Sequence, residues 1–219
     1  MPKTTGKPHT RRNAQRTRER ILRAACSLFA EKGHHGVSIR AIADRSRTNS
    51  ALIYYHFRNK TGLYTAVVQS LLAPFFETIM QIDRETGEPV EKVRRFVTAI
   101  IGFYEAHPQI IRMLLHDLAC GGQEIRALCR SRVIRPEVSA IVRETIDEGI
   151  AQGVFREIDA RQAQVSLMGM ILFPFLAMPL IEVVVGIPVE SRAAFIQARK
   201  ELVADVFLHG ILAGTDGKE

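Results

Sequence analysis

Hydrophobic residues recur along this chain at the spacing of an α-helix, and the alternation that marks a half-buried strand is absent. The first periodic segment is Arg16–Lys32, in which the apolar residues fall three or four positions apart on one face. Gly33 follows directly and is a typical residue for ending a helix. The pattern therefore predicts an amphipathic helix that ends at a glycine turn.

Two short helices are predicted next. Ser38 can cap a helix over residues 39–46, and Asn49 can cap a second over residues 50–56, with a break between them. In the second helix, Tyr55 and its apolar neighbours cannot all face the core that Ile53 and Phe57 would occupy. We therefore expect this helix to expose apolar and aromatic groups, which is unusual for a surface element.

The rest of the chain also has the helical period, and Gly or Pro residues separate the segments. The predicted helical segments are 60–84, one that includes 93–104, one that opens at Pro108 and stops at Gly121, 123–153 with an interruption at Pro136, 160–185 and 191–212. The predicted fold class is all-α. We expect a flexible basic arm over 1–15, an N-terminal three-helix helix-turn-helix domain over 16–62, and a C-terminal helical domain over 63–219.

Charge is distributed unevenly. The whole chain has a net charge of +7, yet residues 1–60 hold 14 Lys or Arg and only 3 Asp or Glu. The remainder is therefore net acidic. A basic end joined to an acidic body suggests a module that binds a polyanion, although a solvated charged face has the same composition.

Several classes of protein are disfavoured. The chain has 47% hydrophobic residues, which is typical of a globular protein, and its 3 Cys form no CxxC pair. No disulfide framework, metal site or cofactor is predicted, and a redox role for Cys120 or Cys129 stays open. The basic N-terminus is no secretory signal. The apolar stretch 165–181 is short and contains Pro174 and Pro179, so we expect a buried helix rather than a membrane anchor, in a cytoplasmic protein.

A short pair of helices joined by a tight turn is the pattern of a helix-turn-helix, whose second helix enters the major groove of DNA. Small residues at the tip of that helix let its backbone approach the bases. Ser50 and Ala51 meet this requirement, and Tyr54 and Tyr55 offer phenol hydroxyls to phosphates or bases. These positions predict DNA binding.

Residues 17–67 resemble the DNA-binding domain of the TetR family of bacterial transcriptional regulators. The resemblance depends on five pieces in order, which are residues 17–25, 28–33, 37–43, 53–60 and Leu63. Where the family usually has Gly-Val-Ser between the two short helices, this chain has Arg47-Thr48-Asn49, and we expect Arg47 to add a DNA contact. The resemblance implies DNA contacts at Ser38, Arg40, Ser50, Ala51, Leu52, Tyr54, Tyr55, His56 and Lys60. Asn49 joins Arg47 as a further predicted contact in the stretch that departs from the family pattern.

The C-terminal body resembles the family's ligand-binding and dimerisation domain. Its aromatic and Met residues suggest an apolar pocket, although each of them can equally be ordinary core. The candidate pocket residues are Phe103, Tyr104, His107, Met113, Met168 and Phe173. The last two helices are apolar enough to form a homodimer interface, which would match paired half-sites on DNA.

We therefore expect a nucleoid-associated, non-enzymatic, sequence-specific regulator. Its predicted action is that of a homodimeric repressor that a small, largely apolar effector releases from a palindromic operator. An alternative is a helical small-molecule-binding protein or enzyme with an incidental basic N-terminus, but none of the common nucleotide-binding or hydrolase motifs occurs. A sequence-indifferent architectural protein is a third possibility, which the small residues at the helix tip disfavour.

Overall fold

The computed structural model describes residues 8–85 and 87–213, apart from the side chains of residues 8–11, 136 and 139. These residues form α-helices, one short 3-10 helix at Val189–Ser191 and one isolated β-bridge between Phe155 and Leu212. The helices are α1 (Pro8–Lys32), α2 (Ile39–Ser46), α3 (Ser50–Phe57), α4 (Lys60–Arg84), α5 (Pro89–Ala106), α6 (Pro108–Ala119), α7 (Gln123–Arg130), α8 (Pro136–Ala151), α9 (Ala160–Val184) and α10 (Arg192–Ile211). The predicted all-α class is confirmed.

The largest difference from the predicted elements is at the start of the chain. Helix α1 begins at Pro8 rather than at Arg16, so the expectation of a flexible arm is wrong for residues 8–15. Proline is well tolerated in the first turn of a helix, and the Gln15 side chain donates to Glu19 Oε1 one turn later at 2.9 Å. Residues 1–7, with Lys3 and Lys7, lie outside the described residues.

The chain divides into two compact units. The first unit contains the described residues up to Leu72 together with Arg112–Ile134, and the second contains Ala73–Ile111 and the residues from Arg135 onward. This division differs from the predicted boundary after residue 62. Sequence periodicity could not show it, because Met113 and Leu128 join the core of the first unit from distant positions in the chain.

Each unit has its own hydrophobic core. In the first unit, Phe29, Ile42 and Ile53 are fully buried, which fixes α1, α2 and α3 against one another. In the second unit the largest fully buried side chains are Ile79, Phe96, Ile101, Ile146, Phe155, Leu167 and Ile171. The backbone N–H of Arg156 also donates to Ile211 O at 2.8 Å, which holds the α8–α9 loop against the end of α10.

Candidate nucleic-acid interface

The turn between α2 and α3 has the geometry of a helix-turn-helix without its usual glycine. Arg47 lies in the left-handed region, with φ 51° and ψ 46°. The N–H groups of Arg47 and Thr48 donate to Asp44 O and Ala43 O at 3.2 and 2.9 Å, which closes the end of α2. The hydroxyls of the buried Ser46 and the half-buried Thr48 also lie 2.8 Å apart, within hydrogen-bond distance. These hydrogen bonds hold Arg47 in a left-handed backbone conformation that glycine would adopt with less strain.

Both short helices are capped as the sequence predicts. Ser38 Oγ accepts from Ala41 N at 3.1 Å, and Asn49 Oδ1 accepts from Leu52 N at 2.8 Å. Each cap satisfies a backbone donor that would otherwise lack a partner at the helix start. The Ser38 hydroxyl and the Asn49 amide nitrogen can both still donate, and each residue is exposed. The caps therefore present polar donors to solvent at the start of each short helix.

Helix α3 buries one side and exposes aromatic groups on the other. Ile53 is fully buried and Phe57 is 6% exposed, whereas Tyr54 is 51% and Tyr55 is 80% exposed. Leu52 is also partly exposed, as expected from the pattern of this helix. Ala51 is exposed, and Ser50 and His56 are half-buried. The outer face of α3 therefore combines small residues at its start with two accessible phenols.

The arginines near this face are not equivalent. Arg40, Arg47 and Arg58 are exposed. Arg45, in contrast, forms an ion pair with Glu31, with Nη2 and Oε2 at 3.2 Å. Arg18 lies over the ring of Phe57 at 5.4 Å, where it packs against the end of α3. The geometry leaves Arg40 and Arg47 accessible and gives Arg45 a structural contact.

Lys60 is more constrained than the sequence suggests. Its Nζ donates to Val37 O at 3.1 Å, and the residue is half-buried. Asn59 Oδ1 accepts from Gly62 N at 2.7 Å and caps α4 directly beside it. The ammonium group has two further protons, so it can bind a phosphate while it holds the α1–α2 turn.

Comparison with known proteins identifies the family to which this helix-turn-helix domain belongs. Residues 21–67 match the profile of the bacterial regulatory proteins of the tetR family, and residues 89–206 match a tetracyclin repressor-like C-terminal domain. The second match alone spans more than half of the chain. The chain belongs to the TetR family.

Individual TetR-family proteins share most of this chain. The transcriptional repressor NicS of Pseudomonas putida is 29% identical over 144 residues, which are 66% of this chain and 68% of NicS. The transcriptional activator FasR of Mycolicibacterium smegmatis is 25% identical over 159 residues, 70% of this chain and 67% of FasR. A crystal structure of AibR with isovaleryl coenzyme A and operator DNA has the same fold, with a TM-score of 0.67 and 22% identity over 90% of this chain and 98% of AibR. This TetR-family chain is a DNA-binding regulator of transcription.

Three of the six predicted pocket residues lie together in the second unit of this TetR-family regulator. The Phe103 ring lies 5.4 Å from Tyr104 and 4.9 Å from His107, between ring centroids. Two rings that sequence analysis missed extend the cluster, with Phe75 at 4.5 Å from Phe103 and Phe175 at 5.7 Å from Tyr104. Burial raises the pKa of Tyr104 to about 12, so its phenol is neutral at physiological pH.

The other three predicted pocket residues are placed differently. Met113 belongs to the first unit and is buried in its core, so the structure does not group it with the aromatic cluster. Phe173 is 53% exposed on α9 and faces solvent in the single chain. Met168 is half-buried on the same helix. Helix α9 is apolar on nearly all sides, so its sequence alone could not separate inward from outward positions.

Helices α9 and α10 expose an aliphatic surface. We use "α9–α10 face" for the exposed apolar residues Val165, Phe173, Leu180, Val183, Val184, Leu202 and Val206. Within residues 8–85 and 87–213, two helices, α4 and α9, are long and apolar enough to cross a membrane by length and composition alone. Only 28% of the apolar window of α9 is buried, so the expectation of a buried helix there is wrong. An exposed apolar surface of this kind is typical of an interaction site.

Sequence analysis also missed a polar cluster in the first unit. His34 and His35 in the α1–α2 turn lie beside Glu124 in the first turn of α7, and their ligand atoms are within 4.8 Å of one another. These residues are separated by about ninety positions in the chain, so no local spacing could have indicated the cluster. Their arrangement is that of potential metal ligands.

Proposed function

We propose that this TetR-family protein is a homodimeric repressor that a small, largely apolar effector releases from a palindromic operator. The observation that carries the proposal is the outer face of α3, where small residues at the helix start precede the exposed Tyr54 and Tyr55. Tyr54 and Tyr55 stay mostly exposed, and burial among the described residues does not account for an aromatic pair on this eight-residue helix. It suits a helix that docks into a groove of DNA.

The contacts on DNA follow from the position of each side chain. Ser50, Ala51 and Leu52 at the tip of α3 read base edges, where Ala51 and Leu52 meet thymine methyl groups and Ser50 hydrogen-bonds. Tyr54, Tyr55 and His56 hold the backbone. The remaining predicted contacts, at Ser38, Arg40, Arg47, Asn49 and Lys60, bind phosphates and fix the register of α3.

The α9–α10 face supports the homodimer. Leu180 and Val184 lie one turn apart on α9 and are 56% and 72% exposed, an unusual amount of aliphatic surface for a protein that acts alone. A second copy that covers this surface would give one particle with two α3 helices. Half-sites about 34–36 Å apart would then lie on successive major grooves. Sedimentation of the DNA-free protein tests the dimer, and recovery in membranes instead would contradict it.

The effector site belongs in the second unit, at the aromatic cluster around Phe103 and Tyr104. Helix α9 departs from helical geometry at Ala177, between Pro174 and Pro179, beside Phe175 in this cluster. A kinked helix against aromatic rings is suited to rearrange around an apolar group. AibR, whose crystal structure contains an acyl-coenzyme A, supports an acyl compound as a first class to test.

The chain offers a direct assay for the effector, because it contains no tryptophan. The variant Phe175→Trp places a single fluorophore in the aromatic cluster. Titration with short-chain acyl-coenzyme A thioesters and free fatty acids should shift its emission and release bound DNA at the same concentrations. A fluorescence change without DNA release would contradict the proposed role of the effector.

Operator binding is the first test. A labelled duplex from upstream of this protein's own reading frame is titrated by fluorescence anisotropy at physiological salt, with random duplex as competitor. Specific binding should exceed non-specific binding by about 10³ or more. A reporter fused to the same fragment separates repression from activation. Equal competition by random duplex, repeated across a pool of genomic fragments, would contradict sequence-specific recognition.

The proposal includes a place in the cell. A dimer that binds DNA non-specifically through its basic unit is expected on the nucleoid. A fluorescent fusion should co-localise with chromosomal DNA, and an Arg40→Gln and Arg47→Gln double variant should be less concentrated there.

A further inference from the structure

The α1–α2 turn and the first turn of α7 bring three metal-ligating side chains together within the first unit. His34 Nδ1 lies 2.7 Å from Glu124 Oε1, and His35 Nε2 lies 4.0 Å from the same oxygen. None of the three has a part in the proposed contacts with DNA or effector. Their proximity therefore requires a separate explanation.

Hydrogen bonding among the described residues does not satisfy His34. Its side chain is 8% exposed, and neither ring nitrogen has a hydrogen-bond partner among those residues, although Nδ1 makes a close ion-pair contact with Glu124. A buried imidazole normally has at least one partner, because an unsatisfied polar atom inside a protein is destabilising. Nδ1 and Oε1 are close, yet they do not have the geometry of a hydrogen bond. Two donors that converge in this way are suited to share a metal ion.

The surroundings of His34 keep a ring nitrogen available as a ligand. Its ring packs against Phe29 at 5.9 Å and Tyr64 at 5.0 Å, between centroids. This packing holds the imidazole in place, and a ring nitrogen that is not hydrogen-bonded can offer its lone pair to a metal ion.

Backbone hydrogen bonds to Asp117 fix the position of the carboxylate ligand Glu124. Asp117 is buried, and its two oxygens accept from Glu124 N at 3.0 Å and Ile125 N at 2.8 Å. These bonds fix the first turn of α7 and with it the position of Glu124. Lys60 is a nearby cation that opposes a metal charge, but its ammonium is held at Val37 O. The acidic pair of Asp117 and Glu124 offsets it.

Two imidazoles and one carboxylate form a donor set that zinc-class ions use, with metal–ligand distances of about 2.0–2.2 Å. Four-coordinate geometry at those lengths separates donor atoms by about 3.3 Å. The separations of 2.7 and 4.0 Å between the histidine nitrogens and Glu124 Oε1 lie on either side of this value, and all three donor atoms lie within 4.8 Å of one another, so side-chain rotations would bring them to it. A cavity of about 40 Å³ adjoins both histidines and can hold a water molecule as fourth ligand.

We propose that His34, His35 and Glu124 bind one divalent transition-metal ion of the zinc class. The ion would link the α1–α2 turn to α7 within the first unit. His35 is the accessible ligand through which the ion enters, since its side chain is 63% exposed.

The test uses the full-length, tag-free protein after treatment with a chelator. Co²⁺ is titrated first, because four-coordinate cobalt absorbs visible light strongly, and Zn²⁺ is then added in competition. We expect one Co²⁺ per chain, displacement by Zn²⁺, and a higher melting temperature with Zn²⁺. Glu124→Gln and His35→Ala should each weaken Zn²⁺ binding by about 100-fold or more.

Two further measurements keep the result interpretable. His209→Ala removes an exposed histidine from α10 in the second unit and should leave metal binding unchanged. Circular dichroism of each metal-free variant shows whether it folds. The proposal fails if no saturable binding occurs, or if the Glu124 and His35 variants bind Zn²⁺ as tightly as the parent. No DNA is present, so either failure would leave the proposed regulatory function untouched.

Discussion

Two surfaces of this molecule expose apolar side chains, and they do so with different chemistry. On α3 the exposed groups are mainly the phenols Tyr54 and Tyr55, each of which pairs an apolar ring with a polar hydroxyl. On α9 they are mainly aliphatic, as at Leu180 and Val184. An aliphatic surface gains only by excluding water, whereas a phenol also forms hydrogen bonds with a polar partner. The first surface therefore suits DNA, and the second suits another copy of the chain.

Electrostatic environment separates the same two surfaces. The exposed Arg40 lies on α2, and the exposed Arg47 lies in the turn between α2 and α3. Both belong to the basic part of the chain. The α9–α10 face is defined by uncharged residues. A surface that combines cations with phenols is complementary to a polyanion. Three independent experiments can therefore test which surface binds which partner. They change the salt concentration, insert a charge on α9, or remove a tyrosine hydroxyl on α3.

Salt should produce the largest difference between the two surfaces. If about six to eight phosphates are contacted per dimer, raising salt from 50 to 200 mM should weaken operator binding by about 10³-fold or more. Dimer affinity should change by less than about threefold, because an aliphatic interface involves no counterion release. Anisotropy measures the first and sedimentation measures the second. Loss of the dimer over the same salt range would remove the contrast.

Charge insertion should disrupt the aliphatic surface next. Leu180→Asp would bury an unpaired carboxylate in the proposed interface, at a cost of about 3 kcal/mol or more. We expect a dimer at least about 100-fold weaker, with a matching loss of operator affinity because a monomer occupies one half-site. Thr98→Asp places the same charge on an exposed position of α5 and should leave the dimer intact. Equal sedimentation of both variants would show that α9 is not the dimer interface.

Hydroxyl removal should have a smaller effect on DNA binding. Tyr54→Ala removes both ring and hydroxyl and should weaken operator binding by about 30-fold, given two copies per dimer. Tyr54→Phe keeps the ring and should cost about fivefold. Neither change should alter the dimer. If the Phe variant loses as much as the Ala variant, the hydroxyl alone carries the contact, and if neither loses affinity, Tyr54 faces away from DNA.

Sequence was a good guide wherever local chemistry decides the structure. Helices α2 and α4 have the predicted bounds, because Ser38 caps one and Asn59 caps the other. Prediction failed where distant residues decide. The inclusion of Met113 in the first unit and the meeting of His34 with Glu124 both depend on tertiary packing, which periodicity does not encode.

The sequence also could not show which side of each apolar helix faces the core. Helix α9 is apolar on almost every side, so nothing in its pattern distinguishes the exposed Phe173 from the buried Ile171. Helix α3 was easier, because its buried Ile53 and Phe57 are four residues apart and leave Tyr54 and Tyr55 no room in the core. The exposed face of α3 was therefore more predictable than the aromatic cluster around Phe103, whose members Phe75 and Phe175 are evident only from the structure.

The smallest expected effect concerns the turn that positions α3. Arg47→Gly relieves a left-handed backbone that costs about 1–2 kcal/mol for a residue with a Cβ, less about 0.5–1 kcal/mol for the greater freedom of glycine in the unfolded chain. We expect the free energy of unfolding in urea to rise by about 0.5 kcal/mol while operator affinity falls by about threefold to tenfold.

The control for this prediction is Arg47→Ala, which removes the guanidinium but keeps the strained backbone. It should lower operator affinity as much as Arg47→Gly without any gain in stability. If both variants bind the operator normally, Arg47 serves only the turn, and the α3 surface depends on Arg40 and the phenols. If both lose affinity, Arg47 contributes a contact with DNA at the expense of backbone strain in the turn. The aliphatic α9–α10 face makes no such exchange, because its residues lie in helices.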